Sequence, residues 1–238
     1  MDHQAWIEKL KHLVELMQKA GADEAEAAFG ESNSASVTWR MGSSEEAEWA
    51  NSMKLNLHAF VNKREASIST NLIDEKEFKI LAQRVVKMAK VLPQDPYSGL
   101  AAPEQLFDHK NTIDLDLYDQ REITPEELIE QAKRCEDSAR QNPHIVNSEG
   151  ASAGFGKSYS AHFASNGFQG THKSSHFSIG VHVIAGNEDG MEGDYDFSSK
   201  THFEDLEKPE DIGKIAGEKA IRRLSSKKII SCELPMRG

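Results

Sequence analysis

The sequence predicts an α+β fold built from two units, each consisting of a helix, an antiparallel meander and a second helix. Segments with one apolar face at helical spacing flank runs in which apolar and polar residues alternate. These runs follow one another too closely to leave room for crossover helices. Helices and strands that are segregated along the chain indicate α+β rather than doubly wound α/β architecture. We expect the units at residues 1–93 and 124–238, joined by a connecting segment at residues 94–123.

The first unit begins with a predicted helix over residues 4–20, which has one apolar face and which Gly21 closes. A second helix is expected to begin at Asp74, with Glu77 as its capping-box partner, and to stop before Pro93. Short strands of one antiparallel meander are expected between the two helices, at residues 25–29, 37–41, 46–50, 55–61 and 65–70.

The second unit begins with a clear helix start. Thr124 suits the N-cap, Pro125 suits the first turn, and Glu126 and Glu127 lie at the positive end of the helix dipole. A last helix is expected from Pro209, with its buried side chains at Ile212, Ile215, Ala216, Ala220 and Leu224. Strands are predicted between these helices, at residues 144–149, 157–164, 172–185 and 194–199.

Two turns are predicted within this second meander. Asn166 and Gly167 tolerate positive φ and lie between two alternating runs, so we expect a hairpin there. The glycine-rich residues 150–156 are interpreted as another turn, because they lack the Lys-Ser/Thr of a phosphate-binding loop. The acidic cluster at residues 188–196 does not match the spacing of a calcium loop and is interpreted as a solvated loop.

Charge and hydropathy limit the functional classes. The 238 residues include 39 acidic and 28 basic side chains, which gives a net charge of −11. A surface this acidic repels phosphate backbones, so we expect no direct contact with nucleic acid. No secretory pattern begins the chain, and no apolar run approaches the roughly 18 residues needed to cross a bilayer. We therefore expect a cytoplasmic protein without a membrane contact.

The residues themselves reveal no catalytic constellation. Cys135 and Cys232 fit neither a zinc-binding nor a redox spacing, and Cys135 is expected to be a small core residue. His172 and His176 lie four residues apart in a predicted strand, a separation of about 13 Å. That distance is too long for two ligands that each lie about 2 Å from one zinc ion. We predict no catalytic residue and no metal ligand in this chain.

Five short sequence motifs follow one another along the chain. They are DPYSGLA at residues 95–101, DLDL at 114–117, IVNSEG at 145–150, SNGF at 165–168 and GMEGDYD at 190–196. In this order and spacing the chain resembles the N-terminal half of the TldD/PmbA family, and within it the PmbA branch, also called TldE. The resemblance extends from about residue 20 to about residue 230.

This resemblance implies a subunit of a cytoplasmic bacterial zinc metalloprotease. In the family a TldD-type chain and a PmbA-type chain form a heterodimer that degrades unfolded polypeptides and removes leader peptides. The His-Glu-x-x-x-His zinc motif belongs to the TldD-type partner, beyond the region matched here, and the motif does not occur in this sequence. The resemblance therefore implies zinc in the partner and a chain that is inactive alone. The family's C-terminal domain is expected to be absent.

Two alternatives remain open beside the protease subunit. A stand-alone module could bind extended peptides by adding a strand to a sheet edge. Older naming of the family as modulators of DNA gyrase suggests an effect on gyrase through protein contact. For substrate or partner contact we predict residues in the motif stretches, namely Asn147, Glu149, Asn166, Gly167, Asp194 and Tyr195. Turn geometry alone is the competing explanation for Asn166 and Gly167, and structural packing is the competing explanation for Tyr195.

Overall fold

The computed structural model describes residues 4–107, 113–188, 190–224 and 226. This part of the chain forms an α+β fold, as predicted, with four α-helices and six strands besides short 3-10 turns. The helices are α1 (Gln4–Lys19), α2 (Phe78–Val91), α3 (Pro125–Ala139) and α4 (Pro209–Arg223). The strands are β1 (Glu24–Arg40), β2 (Ser43–Phe60), β3 (Glu65–Thr70), β4 (Ile145–Ala164), β5 (Gln169–Asn187) and β6 (Gly190–Lys200).

Both meanders belong to one sheet, with the strand order β3-β2-β1-β4-β5-β6. Strand β2 pairs antiparallel with β3, and β5 pairs antiparallel with β6. At one end of the β1–β4 pair, Ser165 donates its backbone N–H to the carbonyl of Ala25. At the other end, Arg40 donates to the carbonyl of Ser148. The two strands therefore run in opposite directions, and β6 ends one edge of the sheet.

The prediction of many short strands is wrong, because several of them are pieces of longer ones. Residues 25–29 and 37–41 fall largely within β1, and the predicted turn at residues 150–156 is part of β4. Glycine and serine have low strand propensity, so the sequence of this stretch suggests a turn. Strand pairing overrides that preference. At Gly154 a Cβ would lie only 2.9 Å from the carbonyl oxygen of Ala35, so the close approach of β1 requires glycine.

One compact unit comprises Met1–Ser34, Trp49–Gln120 and Gly156–Ser175. Helices α1 and α2 supply much of its core, which is built from large side chains. The rings of Trp6 and Phe29 stack there with 3.6 Å between their centroids. Asp74 caps the second helical segment by accepting a hydrogen bond from the Lys76 amide, as an N-cap does. A 3-10 turn at Glu75–Glu77 then precedes α2.

The other compact unit comprises Ala35–Glu48, Arg121–Phe155 and His176–Gly238. Thr124 and Glu127 form the capping box that starts α3. Small residues dominate the contact between α3 and α4, and at Gly213 a Cβ would lie 2.1 Å from the carbonyl oxygen of Cys135. Ile215, which was predicted to be buried, is 40% exposed. Gly213 and Gly217 lie on the inner side of α4 instead, where they allow the close approach of α3.

The connecting segment is largely irregular, as expected, apart from a 3-10 turn at Pro103–Gln105. Leu117 accepts a backbone hydrogen bond from Ser175, and the Asp119 amide donates to the Ser175 hydroxyl, so this stretch lies along β5. The predicted division into residues 1–93 and 124–238 differs from the compact units, because β1, β4 and β5 each contribute residues to both. It remains a prediction about the domains of the chain.

Candidate functional site

The strongest candidate is the face of strands β4, β5 and β6 that is turned away from α3 and α4. Successive side chains of a strand point to opposite faces of a sheet. On β5 one set of side chains is buried in the core beside α3 and α4: Ile179, Val181, Val183 and Ala185. His182 lies between them in sequence and therefore points to the opposite face. On β6, Tyr195 stands opposite His182 in the strand register.

Large apolar side chains are exposed on this face. Val146 is 52% exposed, Met191 71%, Tyr195 55% and Phe197 63%. The rings of Tyr195 and Phe197 are stacked with centroids 6.2 Å apart, and the ring of His182 lies 6.4 Å from that of Tyr195. We call this surface the β4–β6 face and define it by Val146, Glu149, His182, Met191, Tyr195 and Phe197. Contiguous exposed apolar surface of this kind is typical of a binding site.

Glycines allow these side chains to lie flat across the sheet. At Gly186, which faces Met191 in the register, a Cβ would lie 2.8 Å from a methyl carbon of Val146. At Gly193 a Cβ would lie 3.0 Å from the His182 ring. Any larger residue at either position would displace its neighbour, so the exposed surface depends on the missing side chains.

Glu149 and His182 form the polar part of the β4–β6 face. Glu149 Oε2 lies 2.8 Å from His182 Nδ1, which is the distance of an ion pair when the imidazole is protonated. The buried Nδ1 atom nevertheless lacks the alignment of a hydrogen bond, so we treat the contact as electrostatic. The carboxylate places negative charge beside an imidazole whose ring lies 6.4 Å from that of Tyr195. Such a mixture suits contact with an amphipathic chain segment.

The structure brings Glu149 and Tyr195 to one surface but turns Asp194 to the other side of the sheet. Asp194 Oδ2 lies 2.6 Å from Arg223 Nε on α4, and Asp194 Oδ1 accepts a hydrogen bond from the Tyr195 amide. This hydrogen bond, together with the Arg223 charge, lowers the pKa of the Asp194 carboxyl. Asp196 likewise lies 2.6 Å from Lys219. These contacts fasten α4 to β6.

The interpretation of residues 188–196 as a solvated loop is therefore wrong for most of its length. Strand β6 begins at Gly190, and its acidic side chains alternate with aromatic ones. Glu188 lies in the turn between β5 and β6, and Asp189 is outside the described residues. Asp194 and Asp196 face the basic side chains of α4. The acidic composition of this stretch suggests a loop, but the stretch is a strand whose acids form ion pairs.

Asn166 and Gly167 belong to the other compact unit and form the predicted hairpin turn. Asn166 Oδ1 accepts from the Phe168 amide, while its Nδ2 donates to the Ala101 carbonyl. Gly167 has a φ of +98°. Asn147, in β4, accepts a hydrogen bond from the amide that follows it. These contacts give all three residues a structural role, and their proposed part in binding remains a prediction.

His182, Met191, Phe197 and Val146 were not predicted as site residues. A usable signal existed in β6, where Asp194 and Asp196 alternate with Tyr195 and Phe197. Alternation alone does not say which of the two sets faces the helices. Lys219 and Arg223 on α4 decide it, because they pair with the acids.

The remaining candidates for chemistry are Cys135, His172 and His176. Burial raises the pKa of the Cys135 thiol to about 12, and nearby carboxylates such as Asp196 add to the effect, so the thiolate needed for nucleophilic attack is disfavoured. His172 and His176 lie in β5, as expected. Within the described ranges no three His, Cys, Asp or Glu side chains are placed to share a metal ion. Cys232 lies outside those ranges.

One further finding concerns membranes. None of the helices in the described part of the chain has the length and apolar character that a membrane span requires.

Comparison with known proteins places the chain in a class of metallopeptidase-related proteins. Residues 25–89 match the family model of PmbA/TldA metallopeptidase domain 1, and residues 118–224 match that of the PmbA/TldA metallopeptidase central domain. The chain therefore belongs to the PmbA/TldD metallopeptidase family, as its motifs indicated. These two models cover most of the residues between the start of β1 and the end of α4.

Individual relatives agree with this assignment. The chain is 30% identical over 225 residues to the Metalloprotease PmbA homolog of Haemophilus influenzae, covering 94% of this chain and 49% of that protein. It is 30% identical over 223 residues to Metalloprotease PmbA of Escherichia coli O157:H7, covering 90% of this chain and 48% of that protein. The chain thus spans about half the length of these relatives.

Solved structures show the same fold. A Bacteroides thetaiotaomicron protein named as a modulator of DNA gyrase superposes with a TM-score of 0.83 at 27% identity, covering 93% of this chain and 51% of that chain. TldE from Thermococcus kodakarensis superposes with a TM-score of 0.76 at 18% identity, covering 90% of this chain and 47% of that chain. The second likeness concerns the fold alone.

Proposed function

We propose that this chain is part of a non-catalytic, PmbA/TldE-like subunit of a TldD/TldE-type metalloprotease, and that its β4–β6 face binds extended polypeptide in that assembly. The observation that carries the proposal is the exposed apolar surface at Met191, Tyr195 and Phe197 on the edge strand of the sheet. In this proposal the zinc ion and the hydrolytic residues belong to the TldD-type partner.

An edge strand suits the binding of unfolded polypeptide. Strand β6 pairs with β5 on one side, and no other described strand follows it in the sheet. A bound segment that adds to this edge gains main-chain hydrogen bonds that do not depend on its sequence. Tyr195 and Phe197 supply apolar contact for alternate side chains of that segment. The combination favours extended, partly apolar substrates over a single defined sequence.

The test is reconstitution of the protein that contains this chain, in its full natural length, with a TldD-type protein from the same source. We expect a stable complex, visible by size-exclusion chromatography with light scattering, that degrades an unfolded protein such as reduced casein. Replacing both rings (Tyr195→Ser with Phe197→Ser) should leave the complex intact and reduce kcat/KM for casein by about tenfold, since buried aromatic anchors dominate such contacts. A matched control replaces Leu72 and Ile113, two exposed apolar residues outside the β4–β6 face, by serine.

Two results would contradict the proposal in different ways. If the full-length protein fails to bind any TldD-type protein, the proposed assembly is wrong. If the complex forms and its kcat/KM for casein is the same with and without the two rings, the assembly is supported but the β4–β6 face does not bind substrate.

A stand-alone peptide-binding module is the second candidate, because the β4–β6 face and the edge strand β6 are both present in this chain alone. Fluorescence titration of residues 1–238 with a labelled, reduced casein peptide separates the candidates. The subunit proposal predicts little binding without the partner. Saturable binding with a Kd in the micromolar range, lost on replacing Tyr195 and Phe197, would favour the module.

A further inference from the structure

Helix α2 carries a second apolar stripe on the side opposite its core contacts. Its buried residues are Phe78, Ala82, Val85, Val86 and Ala89. Ile80 follows Phe78 by two positions, which corresponds to about 200° around a helix with 3.6 residues per turn. Met88 and Val91 lie near Ile80 on the same outer side of the helix. Ile80 is 49% exposed, Met88 40% and Val91 82%. Core packing does not account for this stripe.

The same side of α2 is basic. Arg84 and Lys87 lie between the apolar side chains, and together with Gln83 they line a shallow groove of about 390 Å³. Both cations are exposed, and within the described part of the chain neither forms an ion pair. From Phe78 to Val91 the helix contains four basic residues and no acidic one, whereas the whole chain has a net charge of −11. The outer side of α2 is thus a local exception to an acidic protein.

We propose that this surface, the α2 stripe of Ile80, Gln83, Arg84, Lys87, Met88 and Val91, docks an acidic amphipathic helix of a partner protein. Apolar residues spaced by eight and eleven positions form a row along the helix axis, which is the contact that a second helix requires. Unpaired Arg84 and Lys87 complement carboxylates beside the apolar row of the incoming helix. This inference rests on α2 alone and does not depend on the proposed protease assembly.

An anionic membrane is a poorer fit to the same stripe. The stripe contains no aromatic residue, and tryptophan or phenylalanine is typical of helices that lie in a bilayer surface. A bilayer also faces a wide area of the molecule, so the net charge of −11 opposes its approach. A partner helix contacts only the stripe, and salt screens the remaining charges beyond about 8 Å.

The experiment titrates this chain with an amphipathic helical peptide of about 20 residues that has leucines every three to four positions and glutamates beside them. We expect saturable binding by fluorescence anisotropy that weakens by about tenfold when salt is raised from about 50 mM to about 300 mM. A matched peptide with lysines in place of the glutamates should bind at least about tenfold more weakly.

Charge reversal makes the test specific to α2. The variant Arg84→Glu with Lys87→Glu should lose binding of the acidic peptide and gain binding of the lysine peptide. The control variant Lys133→Glu with Lys214→Glu changes the net charge by the same amount on α3 and α4, and it should bind the acidic peptide like the unaltered chain. Circular dichroism confirms that each variant is folded before its titration is interpreted.

Three outcomes would overturn the inference. The acidic peptide fails to bind, or the control variant loses binding as fully as the α2 variant, which would indicate a general charge effect. In the third, the unaltered chain binds vesicles of phosphatidylserine and phosphatidylcholine in a flotation assay, this binding requires Arg84 and Lys87, and the acidic peptide does not bind. That result would indicate that the stripe contacts a membrane.

Discussion

The two compact units fill their helix contacts with side chains of different size. The unit that contains α1 and α2 buries large residues, including Trp6, Leu13 and Phe29. The unit that contains α3 and α4 fills much of its helix contact with alanine and glycine and leaves large apolar side chains, Tyr195 and Phe197 among them, on the opposite face of its sheet. Trp6 and Phe29 therefore contribute to the core of the first unit, whereas Tyr195 and Phe197 lie on the surface of the second.

The polar residues show the same contrast. On the helix-free face of the first unit, Glu26 accepts hydrogen bonds from His58 Nδ1 at 3.1 Å and from His162 Nε2 at 3.0 Å. Glu65 lies 3.6 Å from the other nitrogen of His58 and accepts a hydrogen bond from Ser98. This row spans four neighbouring strands, and its members contact one another. A face whose polar groups are paired internally offers less to a ligand than an exposed apolar one.

The largest expected effect compares the same substitution in the two units. Phe29→Ala should reduce the free energy of unfolding by about 3–5 kcal/mol, because the ring is 1% exposed and its removal leaves a cavity. Phe197→Ala should cost at most about 1 kcal/mol, because that ring is 63% exposed. Urea denaturation followed by circular dichroism measures both. Equal losses for the two variants would contradict the assignment of Phe197 to a surface.

The second-largest expected loss of stability concerns a glycine at the helix contact of the second unit. Gly213→Ala should destabilise the protein by about 1–3 kcal/mol, because the new Cβ would collide with the Cys135 carbonyl and force α3 and α4 apart. Gly156→Ala is the matched control, since a Cβ there meets no atom within 4 Å. It should change the unfolding free energy by about 0.5 kcal/mol or less. Thermal unfolding measures both variants. Equal stability of the two would contradict the view that the close approach of α3 and α4 stabilises this unit.

A pH series tests the paired polar face of the first unit. Hydrogen bonds from His162 and His58 lower the pKa of Glu26 from 4.5 to about 2. A carboxyl whose pKa is depressed in the folded state contributes stability above its unfolded pKa and loses that contribution as pH falls toward the folded pKa. Glu26→Gln should therefore cost about 1–2 kcal/mol near neutral pH, and the cost should shrink between about pH 4.5 and about pH 2. A pH-independent difference between the two proteins would contradict the assignment.

The smallest effect concerns the hydroxyl of Tyr195. With the side chain 55% exposed, Tyr195→Phe should change the free energy of unfolding by less than about 0.5 kcal/mol. A loss of more than about 1 kcal/mol in urea denaturation would instead indicate a structural hydrogen bond. The comparison sharpens the distinction between the ring, which we assign to binding, and the hydroxyl, which need not contribute to folding.

Local sequence signals predicted those parts of the fold that local physics determines. Thr124 and Glu127 specify the start of α3 through a capping box, and Asn166-Gly167 specifies a hairpin through positive φ. Strand length was not predictable in the same way, since residues 150–156 are held in β4 by pairing with distant residues of β1 rather than by their own propensity. The resemblance to the TldD/PmbA family, by contrast, depended on several motifs in order and was confirmed.

The candidate site was predicted only in part for a similar reason. Glu149 contacts His182, and His182 stands opposite Tyr195 in the β5–β6 register. Alternation of apolar and polar residues does not reveal that register. Asp194 and Tyr195 were both predicted for binding because they lie in one motif stretch, residues 190–196. Neighbouring strand residues face opposite ways, and Arg223 on a distant helix determines which of them points inward.

Hydrogen exchange tests the central claim most directly. The full-length protein that contains this chain is mixed with a TldD-type protein and challenged with reduced casein, while a metal chelator blocks cleavage. Our account predicts added protection in backbone amides of residues 190–200, with little change at residues 55–60 and 65–70 of the first unit. Protection confined to β2 and β3, with none in β6, would contradict the assignment of polypeptide binding to the β4–β6 face.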